Sequence, residues 1–194
     1  MPTVARSAKV GQDGRDGQDR QDGWGPAASA KKLITIQSSG RAAGRKFALV
    51  VSKYHDFVTD KLQSGALAAL ESAGVAPADV TIVRVPGAFE IPIAAQCAAE
   101  SGRYDAIVCL GCLIRGETPH FDYIAAAVSQ GITAGASATG VPMAFGVLTT
   151  NSVEEALARA GDDPSNKGRE AALAAIEMAD VVAQLARQAL PARE

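Results

Sequence analysis

From Phe47 onward the chain alternates between short runs without a polar position and longer stretches in which apolar residues recur every three or four places. Phe47-Ala48-Leu49-Val50-Val51 is apolar throughout, as expected of a strand covered on both faces. Val80-Thr81-Ile82-Val83-Arg84-Val85, closed by Pro86-Gly87, predicts a second strand. Ala106-Ile107-Val108-Cys109-Leu110 predicts a third, and Val141 to Leu148 a fourth. Ahead of them, Leu33-Ile34-Thr35-Ile36 reads as a short edge strand. Phe57, Lys61-Leu62, Ala66, Ala69 and Leu70 outline a helix that stops near Gly74. A second helix is predicted from about Glu90 to Ser101, with Pro92 in its first turn and Gly102 at its end. Thr118-Pro119 has the pattern of an N-cap followed by proline at the first helical position, opening an alanine-rich helix to about Thr139. Asn151-Ser152 open a short helix ending near Gly161, and a last helix runs from about Lys167 towards Leu190.

Strand and helix alternating at this spacing give parallel strands joined by right-handed crossovers. The expected class is α/β, a three-layer α/β/α sandwich around a parallel four-stranded sheet. Ligands in such sheets sit beyond the carboxyl ends of the strands. That rule selects Lys53-Tyr54-His55, Gly87 to Glu90, Leu113 to His120, and Thr149-Thr150.

Composition changes this picture mainly at the N-terminus. Residues 11 to 23 carry Asp13, Asp16, Asp19 and Asp22 in a three-residue rhythm that Gly11, Gly14 and Gly17 share until Arg20. The run is short, interrupted and lacks proline, so a solvated, disordered arm over residues 1–32 is expected rather than a collagen-like helix. The expected folded domain is then 33–194. The arm holds six basic and four acidic residues, leaving 13 basic and 17 acidic for a mildly acidic remainder. The 194 residues, 47% hydrophobic and 21% charged, suit one globular domain. A net charge of −2 writes in no general attraction to nucleic acid or membrane. No apolar run approaches about 18 residues, so no membrane span is expected. Three cysteines, an odd and small number, argue against a disulfide framework and suit a reducing cytoplasm.

Candidate chemistry gathers at the selected segments. Cys109 and Cys112 have CxxC spacing, but residues three apart in a strand point to opposite faces. Neither GxGxxG nor a Walker motif is present. In Arg115-Gly116-Glu117-Thr118-Pro119-His120, a helix start supplies amide groups suited to an anion. His120, in the first turn, carries an imidazole, the side chain best suited to carry protons. A lone histidine is more often idle; its place at a strand's carboxyl end favours a role. Val85-Pro86-Gly87-Ala88-Phe89-Glu90-Ile91-Pro92 puts a tight turn, an aromatic and a carboxylate together, either as a site or as a turn with a helix-start glutamate. Arg159 follows Glu155 by four residues, the spacing of a surface ion pair. Tyr54 and Phe145 fit either core packing or stacking.

Taken together, Val-Pro-Gly-Ala-Phe-Glu-Ile-Pro at 85–92 and Gly-Cys-Leu-Ile-Arg-Gly-Glu-Thr-Pro-His-Phe-Asp-Tyr at 111–123 resemble the 6,7-dimethyl-8-ribityllumazine synthase family of riboflavin biosynthesis. Phe-Gly-Val-Leu-Thr-Thr at 145–150 and Asn-Lys-Gly at 166–168 follow in the same order. The resemblance spans about Phe47 to the last helix. It implies a flavodoxin-like fold, a transferase needing no cofactor or metal, and two small-molecule substrates. It implies that Tyr54 stacks on the pyrimidine of 5-amino-6-(D-ribitylamino)uracil. Ala88, Phe89, Glu90, Cys112, Leu113 and Ile114 would hold that ring and its ribityl chain. Backbone at Glu117 and Thr118 would bind the phosphate of 3,4-dihydroxy-2-butanone 4-phosphate, and His120 would transfer protons. Phe145 and Arg159 would come from the neighbouring subunit of a pentamer, Arg159 reaching the phosphate; many members build a 60-subunit icosahedral shell. Lys53-Tyr54-His55 departs from the family's common Arg-Phe-Asn-like triplet. A flavin-binding or shell-forming relative without catalysis is the alternative, and the pairing of His120 with Arg159 argues against it.

Overall fold

The computed structural model describes residues 33–189. The Asp/Gly-rich arm therefore lies outside the described residues. The chain divides into units 1–34 and 35–194, and the architecture below belongs to the second. Its elements are β1 (Phe47–Ser52), α1 (Asp56–Ser72), β2 (Val80–Val85), α2 (Ile91–Glu100), β3 (Ala106–Ile114), α3 (His120–Thr139), β4 (Met143–Thr150), α4 (Val153–Ala158) and α5 (Lys167–Ala189). Single 3₁₀ turns at Pro77–Asp79 and Ala88–Glu90 lead into β2 and α2.

The four strands are all parallel, in the order β2-β1-β3-β4. β1 is central and fully buried, which explains its unbroken apolar run. Its pleat splits that run between two cores. Phe47, Leu49 and Val51 pack with Val108, Leu110 and the inner faces of α1 and α5. Ala48 and Val50 pack with Ile107, Cys109 and residues of α2 and α3 on the other face. Cys112 belongs to the first core and Cys109 to the second, so the CxxC sulfurs point apart. Burial raises the Cys109 thiol to about 12 and Cys112 to about 11, and both stay protonated at neutral pH.

Two expectations need correcting. Leu33-Ile34-Thr35-Ile36 forms no strand. A strand needs a hydrogen-bonded partner, and every strand pairing in the sheet is made among β1 to β4. The chain just after it is held to α5 instead. The Ser39 amide donates to Asp180 at 3.0 Å, and Arg45 reaches the same carboxylate at 3.1 Å. These partners, the Ser39 amide first, hold the Asp180 carboxyl below its ordinary value. Secondly, β4 begins and ends two residues later than the apolar run suggests. Thr149 and Thr150 pair with Leu113 and Ile114, extending both strands towards their carboxyl ends.

α1 and α5 meet at very short range. A Cβ on Gly168 would collide with the backbone of Leu62, and one on Gly65 with the Asn166 side chain. Asn166 fills this crossing with four hydrogen bonds. Its Nδ2 donates to the Lys61 and Gly161 carbonyls at 3.2 and 2.9 Å. Its Oδ1 accepts from the Gly168 and Arg169 amides at 2.9 and 3.1 Å, capping α5. Gly168→Ala should therefore destabilise the fold. Alanine's better helix propensity favours the variant by roughly 1 kcal/mol. Overpacking costs about 1–3 kcal/mol, and an obstacle made of backbone puts the cost at the upper end. Thermal and urea unfolding should show a net loss; an unchanged or raised melting temperature would contradict the packing described.

Candidate active site

Three of the four selected segments meet in one cleft of about 600 Å³ at the carboxyl ends of β1, β2 and β3. That is the size of an ordinary small-molecule site. Tyr54 and His55 follow β1; Gly87 to Glu90 follow β2; Leu113, Ile114, Gly116, Thr118 and His120 follow or end β3. Phe121 and Ile124 from α3 and Val153 from α4 complete the wall. Thr149-Thr150, the fourth segment, is elsewhere. Thr149 lines a second cleft of about 440 Å³ with Phe145, Arg159, Lys167 and Glu170, and Thr150 is buried. The reason is strand order, since β4 lies beyond β3 at the sheet edge, away from the ends of β1 and β2.

The first cleft is built by short-range constraints. The Lys53 and Tyr54 amides donate to the Val85 and Pro86 carbonyls at 2.8 and 3.2 Å, tying the loop after β1 to the end of β2. Glu90 turns back so that one carboxylate oxygen accepts from the Gly87 amide at 2.9 Å, which fixes the Pro-Gly turn. Tyr54 and Phe89 are exposed, at 66% and 57%, and so present free ring surface. Ala88 is buried beneath them. Cys112 does not reach the cleft: one pleat before Leu113, it points into the α1/α5 core. Glu117 is exposed and outside the cleft wall.

The loop after β3 ends differently from the sequence expectation. α3 starts at His120 with Pro119, not Thr118, in the capping position, and no side chain caps it. The first amide groups of a helix lack intrahelical acceptors, and here they open beside Thr118 and His120 under the positive end of a 20-residue helix dipole. Arg115 braces this loop. Its guanidinium pairs with both carboxylate oxygens of Asp122, at 3.2 and 2.8 Å, and lies 4.3 Å from the centre of the Phe121 ring.

His55 is a cleft residue whose conformation the sequence pattern does not reveal. Among the described residues it is the one non-glycine at positive φ, 63°. Partial burial holds its imidazole below the ordinary histidine value, against the opposing pull of Asp56. In the second cleft, Arg159 is exposed, and its Nη1 donates to the Glu155 carbonyl at 2.9 Å. The Glu155 carboxylate instead accepts from the Asn151 amide at 2.9 Å. The i,i+4 ion pair is thus not formed, and the guanidinium keeps free donors. Lys167 adds a second cation to that cleft and pairs with Glu170 at 2.8 Å. The Asn-Lys-Gly triplet was its only signal.

The 6,7-dimethyl-8-ribityllumazine synthase family matches residues 44–183. The 6,7-dimethyl-8-ribityllumazine synthase of Syntrophus aciditrophicus (strain SB) is 50% identical over 144 residues, covering 74% of this chain and 94% of the relative. The chain belongs to the 6,7-dimethyl-8-ribityllumazine synthase family. For a lumazine synthase family member the division of the two clefts matters. Tyr54, Ala88, Phe89, Glu90, Leu113, Ile114, Thr118 and His120 share one, while Phe145 and Arg159 share another that has no wall residue in common with it.

The Arg115–Asp122 brace generates a test in solution. Asp122→Ala should speed amide hydrogen exchange at Gly116 to Thr118 while leaving the melting temperature almost unchanged, because the pair is solvent-exposed. Unaltered exchange in the loop would show that Arg115 does not hold it.

Proposed function

We propose that this chain condenses 5-amino-6-(D-ribitylamino)uracil with 3,4-dihydroxy-2-butanone 4-phosphate to give 6,7-dimethyl-8-ribityllumazine, phosphate and water, the penultimate step of riboflavin biosynthesis. Membership of the lumazine synthase family over most of the chain carries the reading. The pyrimidine stacks on Tyr54. Its ring and ribityl chain run along Ala88, Phe89 and Glu90 and over Leu113 and Ile114. The butanone phosphate places its phosphate at the amide groups beside Glu117 and Thr118. The uncapped start of α3 supports that placement, since orphan amides and the helix dipole both favour an anion.

The substrate amine attacks the ketone, and water leaves to give an imine. Phosphate is eliminated next, and the ring closes with loss of a second water. No step demands a strong protein nucleophile. Holding the two substrates together removes much of the barrier. His120, at the mouth of the cleft, moves protons between the amine, the departing hydroxyl and the carbon acid. Phosphate departure needs a cation, and the cleft wall of a single chain contains no arginine or lysine. Arg159 and Lys167 lie in the other cleft. A neighbouring copy that brings its Arg159 and Phe145 over the Tyr54–His120 cleft meets that need.

This requirement supports a cyclic, head-to-tail assembly, and we assign a pentamer that associates into a 60-subunit shell in the cytoplasm. Exposed small residues on α3, among them Ala126, Ala134, Ser137 and Ala138, give it a face that suits close helix packing. Among the described residues no helix is long and apolar enough to cross a membrane.

Lumazine formation from the two substrates, followed by its fluorescence, tests the reaction. His120→Ala should lower kcat by about 10²-fold or more and leave measurable turnover, because positional proton transfer contributes roughly 10²–10⁴. Arg159→Ala should raise the KM for the butanone phosphate about ten- to a hundredfold, the worth of a charge-assisted hydrogen bond. Normal kinetics in either variant would remove the role assigned to that residue. Light scattering should find no active monomer; full activity in a monomeric fraction would refute the shared site, and a discrete pentamer or decamer at all concentrations would refute the shell.

A further inference from the structure

We propose that His55 is a positioning residue that braces the Tyr54 ring and sets the angle at which it meets the pyrimidine. The inference rests on the reading of the Tyr54–His120 cleft as the pyrimidine site.

In an extended chain two consecutive side chains point to opposite sides. Here both Tyr54 and His55 line the same cleft. What turns the second ring towards the first is the left-handed backbone of His55, at φ 63° and ψ 48°. A non-glycine residue adopts that conformation at a cost and keeps it where its surroundings require it, often at functional sites. Helix capping does not account for the residue type. His55 occupies the N-cap of α1, yet its side chain makes no capping hydrogen bond; only its carbonyl serves the helix, accepting from the Val58 and Thr59 amides at 2.9 and 3.0 Å. Asparagine or aspartate would fit the left-handed backbone at least as well.

The ring itself is engaged. Its centre lies 4.2 Å from that of Tyr54, tilted by 52°, and 5.8 Å from that of Phe57, edge-on at 82°. The Tyr54 backbone is fixed by its bond to Pro86, but its ring is exposed and its hydroxyl makes no hydrogen bond among the described residues. His55 is the aromatic neighbour left to restrict it. A neutral imidazole suits the task, since it stacks without setting a fixed charge beside the substrate's amine. Partial burial, which depresses protonation of His55, acts in that direction. A bound ring would then meet a tyrosine face whose orientation is already chosen, saving the entropy of ordering it.

His55→Asn tests this, because asparagine tolerates the left-handed backbone and removes only the ring. The KM for 5-amino-6-(D-ribitylamino)uracil should rise about three- to tenfold, the worth of one aromatic pair. The KM for the butanone phosphate and kcat should each move by less than twofold. His55→Phe, which restores a ring, should recover most of the loss. In a Tyr54→Leu background His55→Asn should add nothing, as coupling through Tyr54 requires. An unchanged pyrimidine KM in His55→Asn, a parallel loss on both substrates, or an additive effect without Tyr54 would each overturn the role. Absence of lumazine from the wild-type protein would instead overturn the reading of the reaction.

Discussion

The crossing of α5 over α1 joins the two helices that border the two clefts. Asn166 supplies four hydrogen bonds there, and Gly168 lets the helix axes approach until backbone nearly touches backbone. α1 begins at the residue after His55, and α5 begins at Lys167. The same contact that closes the core therefore links one wall of the Tyr54–His120 cleft to one wall of the Arg159–Lys167 cleft. The proposed exchange of Arg159 between neighbouring copies would need the two helices held in register. Any slip between the helices would misplace both ends of the exchange.

The division of labour within the fold follows from strand order. With β1 central and β4 at the edge, the loops after β1, β2 and β3 converge, whereas the end of β4 abuts α5. The first group supplies surfaces: the Tyr54 and Phe89 rings, the Gly87 turn and uncapped amides. The second supplies charge. In the proposed reaction one chain would thus separate recognition of the ring from neutralisation of the phosphate, and the proposed association would recombine them.

Much of this was legible in the sequence, for reasons that differ by element. β1 and the core of β3 were plain because burial on both faces forbids polar residues, and Phe47 to Val51 and Ala106 to Leu110 contain none. The ends of β3 and β4 were not, because Gly111 and Thr149-Thr150 are kept in the sheet by pairing across strands rather than by local preference. Leu33 to Ile36 misled in the opposite sense, having strand-forming residues but no pairing partner among the described residues. At the site, the three converging loops followed from the parallel topology and the family motifs. The left-handed turn at His55 did not, since no glycine or turn motif marks it in the sequence. The start of α3 shifted by one residue because the Thr118 hydroxyl caps nothing. Cys112 fell out of the cleft by simple alternation along β3.

β2 is six residues long and lies at the edge of the sheet, with Thr81, Ile82 and Arg84 exposed. An open edge of this kind invites a stray strand to add to it. Arg84 sits near its end with the guanidinium held by Asp60 at 2.7 Å and Gln63 at 3.2 Å. A tethered charge and a short span make indiscriminate strand addition costly there. Folded chains are thereby steered away from fibrous stacking through this edge.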